Sequence, residues 1–119
     1  MEHIRYVTYQ DKKILSVDLA YCSASQVEEV VRKLPDHVTS QPLHSVLLLA
    51  DFTGASLNDD AIRTMKETAI FDKPYIKKAA WIGADSLAAS VRGDVAKFSG
   101  REFPIFKSLT EAMAWLAQD

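Results

Sequence analysis

The chain is poor in cysteine, glycine and proline, with one, four and four among 119 residues. A lone Cys22 excludes an intrachain disulfide, so stability has to come from a packed core, which a chain of this length can supply. Gly54 stands by itself in its segment, which excludes a glycine-rich phosphate-cradling loop. Long apolar runs are missing as well. The longest, Val46 to Ala50, is far short of a membrane span, so no integral membrane segment is expected. Charge of one sign is also lacking: 14 Lys and Arg against 16 Asp and Glu give a net charge of -2. The basic residues gather only into pairs, Lys12-Lys13 and Lys77-Lys78, and no strong field for nucleic acid or acidic membranes results. His3, His37 and His44 lack metal-ligand spacing, and neither a metal nor a cofactor is expected. Met1 to Arg5 holds no apolar core of signal-peptide length, so the expected location is cytoplasmic.

What is present is ordinary globular material, 48% hydrophobic and 25% charged, in alternating blocks. Ile4 to Tyr9 is β-branched and aromatic. Gln10-Asp11-Lys12 reads as a turn, and Ile14 to Leu19 alternates Ile14, Ser16 and Asp18 with Leu15, Val17 and Leu19. The two strands are expected to pair as an antiparallel hairpin. A helix capped by Ser23 or Ser25 carries Val27, Val30, Val31, Leu34 and Val38 on one face. Pro35 should end it near Leu34, because an interior proline removes a hydrogen bond and clashes with the preceding turn.

Val46 to Ala50 has no polar alternation, as expected of a parallel strand covered on both faces. A polar loop from Asp51 leads to Asn58, which can cap a second helix bearing Asp59 and Asp60 in its first turn and Ile62, Met65 and Ala69 inward. Asp72-Lys73-Pro74 closes that helix. Ile76 to Ile82 is the next strand. Leu87, Val91, Val95 and Phe98 mark a third helix, and Phe103 to Phe106 a short edge strand, since Pro104 cannot donate to a ladder. Ser108-Leu109-Thr110-Glu111 is a capping box that opens the last helix. The order ββαβαβαβα predicts a single α/β domain over residues 1–119, with a mixed, mostly parallel sheet of about five strands and helices on both faces.

This order, and particularly the residues in three segments, resembles STAS domains, the anti-sigma-factor-antagonist type. Val46-Leu47-Leu48-Leu49-Ala50-Asp51-Phe52-Thr53-Gly54 is similar to the family's apolar strand followed by Asp and a loop glycine. Lys73-Pro74-Tyr75-Ile76-Lys77-Lys78-Ala79-Ala80-Trp81-Ile82-Gly83 resembles a stretch of its SpoIIAA-like branch, as does the closing segment from Phe106 to Leu116. The resemblance implies a protein-interaction switch, on a fold likened to CRAL-TRIO lipid-binding domains. Many STAS switches carry a phosphorylatable Asp-Ser pair where this chain has Asn58-Asp59-Asp60. The nearest hydroxyls are Thr53 and Ser56, while Asp85-Ser86 follows the next strand.

Ligands of open α/β sheets sit at the carboxyl ends of parallel strands. If the strands before them are neighbours, Asp51, Thr53, Ser56, Asn58, Asp59, Asp85 and Ser86 gather there as a binding rim, with Thr53, Ser56 and Ser86 as possible phosphorylation sites. The same residue types serve turns and helix caps. Trp81, Phe98, Phe103, Phe106 and Trp115 can line an apolar cavity or simply fill the core, and Cys22 reads as a packed thiol. No nucleophile or acid–base pair stands out. The expectation is a non-enzymatic STAS-like binding or regulatory module that engages a protein partner through the second helix and its preceding loop. The alternative is a carrier or sensor of a small apolar ligand or lipid held under that helix; an enzyme with an unrecognised site comes third. A homodimer through an edge strand or helix face is a further possibility.

Overall fold

Val46 to Ala50 are all buried, which places their strand, β3 (Val46–Asp51), in the middle of a sheet with both faces covered. The computed structural model of the protein describes residues 3–83, Leu87, Gly93 and 103–118. Its sheet runs in the order β1 (Ile4–Tyr9), β2 (Lys12–Asp18), β3, β4 (Ile76–Ile82) and β5 (Ile105–Phe106). β1 and β2 form the expected antiparallel hairpin, and every later pairing is parallel. The hairpin turn is tighter than expected. Gln10 and Asp11 alone form it, both with positive φ, as a two-residue loop between twisted strands requires.

Two crossovers in the same direction along the sheet put α1 (Ala24–Val38) and α2 (Asp59–Asp72) on one face. There Val27, Val30, Val31, Ala61, Met65 and Ala69 pack on Leu15, Val17, Leu48, Ala50 and Trp81. The other face is covered by α3 (Leu109–Ala117), whose Ala112 and Leu116 pack on Ile14, Leu47, Leu49, Ala80 and Ile82. The predicted third helix, apart from Leu87 and Gly93, lies outside the described residues.

The helix starts are set by their caps. Ser23 and Gln26 form a full capping box, the Asn58 side chain accepts from the Ala61 N–H at 2.8 Å, and Ser108 Oγ accepts from the Glu111 N–H at 3.2 Å. The end of α1 differs from expectation. It continues through Pro35 to Val38, because its apolar stripe continues too: Leu34 and Val38 are both buried. Burying those two side chains is worth about 2–3 kcal/mol each, enough to offset the roughly 3 kcal/mol of an interior proline. The Tyr6 hydroxyl also donates to His37 O at 2.9 Å, tying the last turn to the sheet. At the far end the edge strand is only Ile105–Phe106, with Pro104 supplying an acceptor, not a donor, to Trp81 N–H at 2.9 Å.

Pro35→Ala restores a donor for Val31 O within an otherwise regular helix. It is expected to raise the unfolding free energy in urea by about 1–3 kcal/mol. A loss of stability would mean that the proline ring's packing outweighs the missing hydrogen bond.

Candidate functional site

The parallel register aligns the ends of β2 and β3, so that Asp18 and Asp51 are direct neighbours. By strand alternation both side chains fall on the face that carries α3. α3 covers only part of that face. Past it, Ser16, Asp18, Asp51, His3 and Arg5 border an open groove of about 530 Å³ floored by Leu49 and Ile82. Each carboxylate is aimed by its own turn. Asp18 Oδ1 accepts from Ala20 N–H at 3.0 Å, and Asp51 Oδ1 accepts from both the N–H and the hydroxyl of Thr53, at 2.9 and 2.7 Å.

The loops above these strand ends are pinned to one another. Leu19 N–H donates to Asp51 O, Tyr21 N–H to Thr53 O and Ser56 N–H to Cys22 O, all at 2.8–2.9 Å. Gly83 ends β4 with φ +67°, and a Cβ there would stand 2.5 Å from Thr53 N and 2.7 Å from its Cα. Only glycine allows the two exit loops to approach so closely. Tyr21 also has positive φ, 58°, uncommon for a bulky residue. Its ring lies over Gly54, where a Cβ would be 2.5 Å from Tyr21 Cδ1. It is nevertheless 79% exposed.

The structure therefore brings Asp51 and Thr53 into contact and ties the Ser56 backbone to Cys22, with Asn58 and Asp59 opening α2. Asn58 is the helix cap, Asp59 and Asp60 occupy the first turn, and Asp60 pairs with Arg63 at 3.7 Å. Asp85 and Ser86 lie outside the described residues. Two participants were not singled out from sequence, Asp18 and Tyr21. The signal for Asp18 was present: like Asp51, it is an aspartate closing a strand. Tyr21 gave none, because its backbone conformation is set by the bond to Thr53.

Beneath α2 is a separate, apolar cavity of about 60 Å³, lined by Leu48, Phe52, Met65, Trp81 and Phe103 among others. Of the aromatics considered above, Phe106 and Trp115 instead pack on the opposite face, and Phe98 lies outside the described residues. Thr68 and Asp72 are the polar side chains among the described lining residues, and Asp72 is only 1% exposed. Its burial was not anticipated, since sequence placed it at a helix end. A dry cavity of about 150 Å³ holds benzene, so about 60 Å³ is too small for a lipid chain while α2 stays closed.

Cys22 is buried, and burial, followed by the nearby Asp18 charge, pushes its thiol up from the ordinary value. The helix start that follows it does not activate it. Among the described residues no group of three His, Cys, Asp or Glu is placed to hold a metal ion, and no helix is long and apolar enough to cross a membrane.

An α/β sheet with an acidic carboxyl edge is thus defined by its own geometry. No protein-family model and no curated protein matches the chain. Among solved structures it is similar to an uncharacterized protein from the DUF3478 family, with a SpoIIAA-like fold, from Shewanella loihica PV-4. That likeness has a TM-score of 0.68 and covers 96% of this chain and 92% of that one, at 20% identity. The fold is SpoIIAA-like.

Gly83→Ala forces a side chain against the Thr53 backbone at positive φ and is expected to cost at least about 2 kcal/mol in urea unfolding. Cys22 is expected to react with a thiol reagent at pH 8 far more slowly in the folded than in the unfolded protein. Because folding raises this pKa, the stability it contributes is present below the unfolded value and is lost as pH rises through the folded one. A Cys22→Ser variant should flatten that part of the stability profile.

Proposed function

We propose that this protein is a non-enzymatic STAS-like binding module whose carboxyl edge recognises a basic segment of a protein partner. The observation that carries the reading is Tyr21, an aromatic side chain held 79% exposed on a left-handed backbone in the loop that follows Asp18. A bulky residue keeps such a conformation only where its surroundings impose it, and rigid exposed aromatics are the usual anchors of interfaces. Asp18 and Asp51 close neighbouring strands in a groove that Arg5 also borders, and Asp59 opens α2, so the same edge offers carboxylates to lysine and arginine. The strand order also argues for surface recognition. Among the described strands, neighbours follow chain order without reversal, and none of them forms a switch point at which two loops diverge into a ligand crevice. The fold likeness is compatible with a role in protein interaction.

Phosphorylation would act on the same edge. Ser56 is exposed two residues before the α2 cap, where a phosphate meets the helix N-terminus. On Thr53 it would displace the hydroxyl bonded to Asp51. Intact-mass measurement on protein from its native cells tests both: an unmodified mass under all growth conditions removes this regulation.

The cavity beneath α2 supports a second reading, a sensor of a small apolar ligand, for which α2 has to move outward. Binding of benzene or xenon to wild type and its loss in Ala69→Phe would favour that reading.

For the leading reading, partner capture from native extract is compared between wild type, Tyr21→Ser and the double variant Asp59→Lys/Asp60→Lys. A partner held by wild type should bind about 30-fold more weakly to Tyr21→Ser, the cost of losing one anchor of about 2 kcal/mol. Equal retention by all three proteins, or turnover of a metabolite by the purified protein, overturns it.

A further inference from the structure

The opposite, amino-terminal edge of the parallel strands has contrasting chemistry. There His44 N–H donates to Pro74 O at 2.9 Å and Ser45 N–H to Tyr75 O at 3.1 Å, locking the loop before β3 to the loop after α2. The two loops bring Leu43 and His44 beside the end of α2, with Ile70, Phe71 and Lys73, and beside the start of β4, with Lys77 and Lys78. His44, Lys73, Lys77 and Lys78 line one open groove of about 450 Å³, along with Trp115.

The charges in this groove differ from those on the outer faces of α1 and α2. On the outer faces of α1 and α2, Arg32 pairs with Glu28, Lys33 with Glu29 and Arg63 with Asp60. Lys78 is committed to carbonyl oxygens at the end of α3, donating to Trp115 O at 3.1 Å and Gln118 O at 2.6 Å. Lys73 and Lys77 are exposed, and among the described residues no carboxylate lies within ion-pair distance of either. Asp11 and Asp36 are exposed acidic groups that the topology brings to the same end, from the hairpin turn and the last turn of α1.

Large apolar side chains are exposed at the same end: Leu43 at 68%, Ile70 at 46% and Phe71 at 55%, the last at the margin of the α1–α2 groove that also holds Glu28, Asp60 and Glu67. Exposed apolar groups interleaved with unneutralised lysines match the chemistry of an anionic lipid surface, whose headgroups take the ammonium groups while its acyl boundary takes the apolar tips. The net charge of -2 is an average over the whole chain and does not report how charge is distributed at this end. We propose that this end of the domain docks reversibly on membranes containing anionic phospholipid, with Leu43, Ile70 and Phe71 inserted and Lys73 and Lys77 among the headgroups.

The test is co-flotation of the full chain with vesicles of phosphatidylcholine alone or with about one third phosphatidylserine. Wild type should float with the mixed vesicles and stay behind with the neutral ones. Lys73→Glu/Lys77→Glu should lower the partition coefficient at least about twentyfold, roughly fivefold or more per lysine. Leu43→Ser/Phe71→Ser should lower it about tenfold or more. All four positions are exposed, and unchanged far-ultraviolet spectra and melting temperatures confirm the fold of each variant. Tyr21→Ser should float like wild type, which separates this surface from the partner-binding edge. No flotation, or equal flotation with both vesicles, overturns the proposal. Displacement by millimolar glycerophosphoserine, or full binding by Leu43→Ser/Phe71→Ser, also overturns it and assigns the groove to a small soluble anion. Loss of an acidic protein with the lysine variant, without any flotation, would assign the surface to a protein instead.

Discussion

The parallel register of β2, β3 and β4 is the constraint on which the rest of the molecule depends. β3 has to be covered on both faces because none of its first five side chains tolerates water. That demand places β2 and β4 on either side, α1 and α2 on one face and α3 on the other. A shift of one residue in β3 would turn Leu48 and Ala50 away from α1 and α2, and Asp51 into the core. The same register puts Asp18 beside Asp51, so the core's requirement also builds the acidic edge.

Polarity follows from the direction of the chain. Parallel strands joined by helices bring strand ends and helix starts to one edge, and helix ends and strand starts to the other. Carboxylates suit helix starts and cations suit helix ends. Asp59 and Asp60 at the head of α2 and Lys78 at the tail of α3 each satisfy that rule. The placement of these charges is therefore partly a by-product of stabilising the helices. What the helices do not need is the exposed Tyr21 at one end or the exposed Leu43 and Phe71 at the other.

Most of the architecture was legible in the sequence because its signals are local. Period-two alternation marked β2, an unbroken apolar run marked β3, and Ser23, Asn58 and Ser108 announced the helix starts. Pro35 misled, since a local penalty was outweighed by the burial of Val38, a tertiary effect. The site was half legible. Asp51, Thr53 and Asn58 could be placed at the carboxyl edge from strand direction alone. Asp18 needed the pairing register, Tyr21 needed a bond from a distant loop, and the burial of Asp72 needed the packing of α2 on the sheet. The lysine-bearing, apolar end was hidden by averaging: composition reports a nearly neutral chain, whereas the fold brings Lys73 and Lys77 into one groove.

Sequential strand order also has a kinetic consequence. Each described strand joins the described strand that preceded it in the chain, so none of these pairings requires a loop to close over strands still to be laid down. Assembly can grow from the β1–β2 hairpin outward, one strand and one helix at a time. The last strand, β5, contributes two residues at the growing edge. A chain that stalled before adding it would leave the backbone of β4 open along Trp81 and Ile82, the point at which an incomplete molecule is most prone to pair with another.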